Sequence, residues 1–208
     1  MQNFNLIAQD ISKSFESKKF LFEKINFNLS NSNSIAITGK NGSGKSTLVK
    51  IIAGFITPTT GEINFNISGN SILMENFNNY FGFVSPYLTL YEEFTALEQI
   101  RLFADLKGIN FNVNIAHELL DTFQLTNNKN KFVRKYSSGM KQRLKFILAL
   151  YNNPQLLILD EPFSNLDDSG INIVMEKIIK HLSDGGAIII ATNDEREKSL
   201  CENIINLS

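Results

Sequence analysis

The stretch Ile35-Ala36-Ile37-Thr38-Gly39-Lys40-Asn41-Gly42-Ser43-Gly44-Lys45-Ser46-Thr47 decides the fold. Its first residues form a brief continuous apolar run, the pattern of a strand buried on both faces. The run ends in a glycine-rich turn, and beyond it Leu48, Ile51 and Ile52 take up helical spacing, with Gly54 placed to stop the helix. Gly39 to Thr47 fits the phosphate-binding pattern G-x-x-x-x-G-K-[ST], and it lies between a strand and a helix, where that pattern has physical meaning. Its glycines let backbone N–H groups converge on an anion, and the helix N-terminus adds partial positive charge. Lys45 then reaches the terminal phosphates, Ser46 can ligate Mg²⁺, and Lys40, Asn41, Gly42, Ser43, Gly44 and Thr47 complete the cradle.

A second buried strand, Leu156-Leu157-Ile158-Leu159, delivers Asp160 and Glu161 at its C-terminal end, where parallel sheets bind ligands. Asp160 is read as holding Mg²⁺ through water. Glu161, one residue on, points elsewhere and is placed to orient or deprotonate a water attacking the terminal phosphate. A third such strand spans Ala187 to Ala191, after a helical stripe of Ile171, Val174, Met175, Ile178, Ile179 and Leu182. Strands alternating with helices in this way imply an α/β fold with a parallel sheet flanked by helices.

Alternating stretches around Asn5–Ile11, Ile25–Leu29 and Ile63–Ile67 imply an antiparallel lip at the N-terminal side. The middle of the chain, from about Tyr87 to Asn153, reads as helical. Thr95-Ala96-Leu97-Glu98 is a capping box, and Gly108 closes the helix it opens. A second helix is expected over Ile115–Phe123, and a third from about Ser138-Gly139 until Asn153-Pro154 stops it.

Composition narrows the class further. Twenty basic against 21 acidic side chains leave a formal net charge of -1, so no overall positive field holds a nucleic acid, and no nucleic-acid partner is expected. The single cysteine, Cys201, makes no intrachain disulfide and reads as a packed small hydrophobe. The start, MQNFNLIAQD, has neither a basic head nor a long apolar run, so no secretory signal is expected, and no apolar run is long enough to cross a bilayer. Any membrane role therefore belongs to a partner.

At these residues the chain resembles the ABC ATPase family, and the resemblance covers nearly its whole length. Its most discriminating piece is Tyr136-Ser137-Ser138-Gly139-Met140-Lys141-Gln142-Arg143, which looks like the family's signature segment, Leu-Ser-Gly-Gly-Gln or its Met-Lys-Gln-Arg variant. It opens a helix shortly before the Asp160 strand, and small residues there make a second anion site. The resemblance implies that Ser137, Ser138, Gly139 and Met140 cover an ATP held by a partner, in a head-to-tail dimer with two ATPs at its interface. It likewise implies that Phe15 stacks on adenine, and that Ser164-Asn165-Leu166-Asp167 lines the dimer seam.

Two positions depart from the family pattern. Pro86 stands where a Gln usually contacts Mg²⁺ and the attacking water, and Asn193 stands where a His usually bonds the γ-phosphate. Both departures imply slow hydrolysis. His117 and His181 lie in helical stretches away from that strand end and read as surface or boundary residues.

The expectation is a single ABC ATPase domain over residues 1–208: a P-loop NTPase core of about 1–85 and 154–208, with a mostly parallel sheet and antiparallel lip, and an inserted helical sub-domain of about 86–153. The resemblance implies an ATP- and Mg²⁺-dependent ATPase, a homodimer or a heterodimer with another ABC ATPase, peripheral on the inner, cytoplasmic face of the cell membrane. It would drive transport through an integral membrane transporter subunit. Leu90-Tyr91-Glu92-Glu93-Phe94-Thr95-Ala96-Leu97-Glu98 resembles the same stretch of drug, polysaccharide and haem exporters, so export is expected. The alternatives are an ATP-binding regulatory module with weak hydrolysis, which Pro86 and Asn193 favour but Lys45, Asp160 and Glu161 oppose, and a soluble non-transport ABC ATPase, which would usually carry two fused halves or a long coiled coil. A P-loop kinase or GTPase is opposed by the signature segment.

Overall fold

The structure of the protein is a computed structural model that describes residues 2–16 and 19–207. Its strands are β1 (Phe4–Glu16), β2 (Lys19–Ser30), β3 (Ser34–Gly39), β4 (Thr60–Ile67), β5 (Asn70–Ile72), β6 (Phe81–Val84), β7 (Leu156–Asp160), β8 (Ala187–Ala191) and β9 (Asn203–Leu207). The helices are α1 (Lys45–Ile52), α2 (Met74–Phe77), α3 (Ala96–Leu106), α4 (Val113–Thr122), α5 (Ser138–Leu150), α6 (Asp168–Ser183) and α7 (Glu195–Lys198).

The strands form two sheets. One is parallel, in the order β6-β7-β8-β3-β9, and the other is antiparallel, in the order β2-β1-β4-β5. Every residue of β7 and β8 is buried, which is why both read as apolar runs, interrupted only by Asp160 at the end of β7. Alternation along them divides the interior in two. Leu157, Leu159, Ile188 and Ile190 face a cluster built with α3 to α6, while Leu156, Ile158, Ala187 and Ile189 face α1 and the antiparallel sheet.

β1 and β2 run further than their alternation suggests. Asp10 adopts φ 50° and the β1–β2 register shifts between Ala8 and Ile11, so the period of two is broken while pairing continues to Glu16 opposite Lys19. β5, α2 and β9 had no sequence counterpart. They are short, and β9 keeps only Leu207 fully buried, so its pattern carries little periodicity. The capping box is present as read: Thr95 accepts from the Glu98 amide, and the Glu98 carboxylate accepts from the Thr95 N–H at 2.8 Å.

His181 departs from its reading as a surface or boundary residue. It is only 5% exposed, packed in the last turn of α6 with Nε2 3.2 Å from the Ala187 carbonyl, at the end of β8 opposite Asn193.

Candidate functional site

The loop between β3 and α1 is the centre of the site. Gly44 caps α1 at φ 101°, and a Cβ there would come within 2.8 Å of the Leu21 and Phe22 side chains, so both conformation and space demand glycine. The same approach ties the loop to the β1–β2 hairpin. Lys13 pairs with Phe22, and Phe15, two residues further on, is 67% exposed with Lys13 Nζ 4.9 Å from its ring centre. An exposed aromatic face thus stands near the loop.

Lys45 is 7% exposed, and its ammonium donates to the carbonyls of Gly39 at 2.8 Å and Lys40 at 3.4 Å. The charge is held inside the loop. Ser43 Oγ, buried in the same loop, meets no hydrogen-bond partner among the described residues. A cradle with an inward cation, an orphaned hydroxyl and a helix N-terminus suits a phosphate oxygen.

Asp160, 1% exposed, closes β7 beneath that cradle. Its Oδ1 accepts from Ser46 Oγ at 3.0 Å, and its Oδ2 accepts from Ser85 Oγ at 3.3 Å. Burial pushes the Asp160 carboxyl above its ordinary range, the two hydroxyls pull it back, and Glu161 raises it further. Among the described residues no three His, Cys, Asp or Glu gather as an all-protein metal site. The donor set of one carboxylate and serine hydroxyls is all oxygen, as a hard cation shared with substrate phosphates requires.

Glu161 is exposed and adopts φ 47°, with its N–H donating to the Ala191 carbonyl at 2.9 Å. That left-handed conformation costs a non-glycine residue about 1–2 kcal/mol of backbone energy, and it turns the chain sharply at the end of β7. Glu161 lines one pocket with Asn41, Ser164 and Asn193, and the Asn193 amide donates to Asn41 Oδ1 at 3.2 Å. Asn193 therefore lies over the phosphate loop. Ser164 Oγ, in the same pocket, is buried without a partner among the described residues.

The signature segment lies elsewhere. Ser137 caps α5, accepting from the Met140 N–H at 3.2 Å, and Ser137, Ser138, Gly139 and Met140 line a separate pocket with Asn165 and Asp167. The two pockets share no lining residue.

Three residues that sequence reasoning passed over belong to this region. Ser85 holds Asp160; Lys145, 7% exposed, donates to the carbonyls of Ser85 at 2.9 Å and Pro86 at 3.0 Å. Glu197, buried on α7, accepts from the Phe163 N–H at 2.7 Å, which fixes the turn after Glu161. A charge among the apolar residues of α5 was the available signal for Lys145. Ser85 and Glu197 had none.

Comparison with known proteins matches this geometry to a family. A family model described as ABC transporter covers residues 22–164. The lipoprotein-releasing system ATP-binding protein LolD of Buchnera aphidicola subsp. Acyrthosiphon pisum is 33% identical, over 93% of this chain and 90% of its own. The cytochrome c biogenesis ATP-binding export protein CcmA of Reclinomonas americana is 35% identical, over 92% and 86%. Among solved structures, an ATP-binding subunit of an ABC transporter superposes with a TM-score of 0.85 at 28% identity, covering 97% of this chain and 85% of that one. A dimeric ATP-binding cassette in a post-hydrolysis state with ADP and Pi also gives 0.85, at 25% identity over 98% and 94%. With the glycine loop, the Asp160 strand and the signature helix in one α/β frame, the chain belongs to the ABC transporter family as an ATP-binding subunit, and it is an ATPase.

Proposed function

We propose that the chain drives export through a separate membrane subunit, by closing on ATP as a head-to-tail dimer with a second copy or a related ATPase. One observation carries this reading: the signature residues line a pocket apart from Glu161 and Asn193. An anion site at the start of α5 then serves a phosphate held by another chain. The dimeric cassette and the two relatives whose names speak of release and export support the pairing and the direction. The division into a core of about 1–85 and 154–208 and a helical sub-domain of about 86–153 is part of the same proposal.

Each residue has a role in it. Phe15 stacks on adenine, and the Gly39–Thr47 loop wraps the phosphates with Lys45 turned from its two carbonyls to the β- and γ-oxygens. Ser46 and Asp160 would hold Mg²⁺, whose charge stabilises the phosphate oxygens when bound. Glu161 orients a water in line with the γ-phosphorus and takes its proton. The water oxygen bonds to phosphorus as the bond to the β–γ bridging oxygen breaks, leaving ADP and phosphate. Asn193 offers a neutral amide donor toward the γ-phosphate.

The membrane partner needs a surface. No described helix is long and apolar enough to cross a membrane. An apolar groove between β6 and α3, with Phe55, Tyr91 and Leu106 more than half exposed, is assigned to a cytoplasmic helix of the membrane subunit.

Glu161→Gln tests the dimer. The amide still binds but accepts no proton, so ATP is expected to accumulate a stable dimer by light scattering, while the wild type turns over and reopens. A variant that binds ATP yet stays monomeric overturns the pairing.

A further inference from the structure

Lys145 has no part in the roles above, yet it is a buried cation beside the site. On α5 it lies one turn before Ala149, whose carbonyl a Cβ at Gly82 would strike, so helix and strand pack backbone to backbone there. That contact carries Lys145 to the end of β6. Its ammonium donates to the carbonyls of Ser85 at 2.9 Å and Pro86 at 3.0 Å and makes no ion pair among the described residues. Burial, with Lys141 nearby, lowers its affinity for the proton. A solitary buried ammonium opposes folding compared with an apolar residue of the same length.

The turn it grips leads directly to Asp160. Ser85, 1% exposed, directs its hydroxyl to Asp160 Oδ2 at 3.3 Å, while Ser46 holds Oδ1 from the opposite side at 3.0 Å. Pro86 has no N–H and no polar side chain, so its carbonyl is the polar group it can offer, and Lys145 takes it.

We infer that Lys145 is a positioning residue: by gripping the Ser85 and Pro86 carbonyls it aims the Ser85 hydroxyl at Asp160 and so sets the carboxylate's orientation toward a divalent cation. The inference rests on the reading of Asp160 as the carboxylate on the metal side. It also links the helix that carries the signature segment to that carboxylate, through two side chains.

The test uses the full chain with Lys145→Met, Lys145→Ala, Ser85→Ala and the Lys145→Met/Ser85→Ala pair. Mn²⁺ uptake in the presence of ATP is read by electron paramagnetic resonance, and ATP binding in EDTA by calorimetry. Each single variant is expected to weaken Mn²⁺ uptake about tenfold while ATP binding in EDTA stays within about twofold, as for loss of a group that orients a metal ligand. The pair should be no weaker than Ser85→Ala alone, because both changes act through one hydroxyl. Lys145→Ala guards against a methionine variant that does not fold, since alanine suits the helix and leaves room for water. Wild-type Mn²⁺ uptake in a folded Lys145 variant, losses that multiply in the pair, an equal loss of ATP binding in EDTA, or failure of both Lys145 variants to fold each overturns the inference. Asp160→Asn is the control. If it takes up Mn²⁺ like the wild type, the reading of Asp160 fails and this inference with it; if it loses uptake while the Lys145 variants keep it, this inference alone fails.

Discussion

The Lys45 ammonium is buried and seated on two loop carbonyls, whereas the other cation of the loop, Lys40, is exposed and does not replace it. Lys45→Ala is therefore expected to weaken ATP binding by roughly tenfold to a hundredfold, the worth of a charge-assisted hydrogen bond, in calorimetry. Binding near that of the wild type would remove the phosphate-loop assignment. Pro86 and Asn193 are expected to act on rate instead. Pro86 has no side-chain donor or acceptor for water or metal, and Asn193 keeps an amide donor but carries no positive charge; a well-aimed donor to developing charge is worth on the order of a hundredfold in other enzymes. Phosphate release at saturating Mg-ATP is expected to rise with Pro86→Gln and with Asn193→His, most in the pair. Because Asn193 already reaches Asn41 over the loop, histidine there should give the larger single gain. A fast wild type that either change slows would show a differently arranged, competent site.

At the scale of elements, the junction of α6 and β8 carries a pH dependence. Burial lowers the His181 pKa from 6.5 to about 4, against the raising effects of the Ala187 carbonyl and Asp184. The ring stays neutral in the fold while the unfolded chain takes up a proton below pH 6.5, so stability falls as pH drops from 6.5 toward about 4. The loss amounts to about 3 kcal/mol over that window. The buried carboxyls Asp160 and Glu197 are shifted upward and work the other way as pH falls, so the comparison must be with a variant. Urea unfolding of His181→Gln should lose less stability than the wild type between about pH 7 and pH 4.5. Parallel acid limbs would assign the dependence to other groups. A Cβ at Gly186 would overlap the His181 ring, which shows how little room that junction leaves.

For the whole molecule, two surfaces are separate: the face proposed for the nucleotide, at the C-terminal ends of β3, β7 and β8, and the apolar groove between β6 and α3 proposed for the membrane partner. Leu106, 71% exposed, lines the groove, and none of the nucleotide residues named above is among its lining. Leu106→Asp places a charge in that apolar surface, so it is expected to abolish copurification with the membrane subunit while ATP turnover of the isolated chain stays within about twofold, as for surface changes remote from chemistry. Retained copurification would move the membrane partner to another face.

The sequence by itself determined the strand, glycine turn and helix around Gly39–Thr47, the Asp160-Glu161 pair at the end of its strand, the helix from Ser138 and the three buried strands, because each is a local pattern whose period or spacing is complete within about a dozen residues. It also determined the Thr95–Glu98 cap, a contact closed within one helical turn. Tertiary structure alone decided that Ser85 meets Asp160 across 75 residues, that Lys145 reaches back 60 and 59 residues to Ser85 and Pro86, and that Asn193 lies against Asn41, 152 residues away. It decided as well that His181 is buried and that β9 joins the parallel sheet beside β3. Such pairings leave no period in the chain, because a lone polar residue among apolar ones reads the same whether it meets solvent or a partner brought near only by packing of the sheet against its helices.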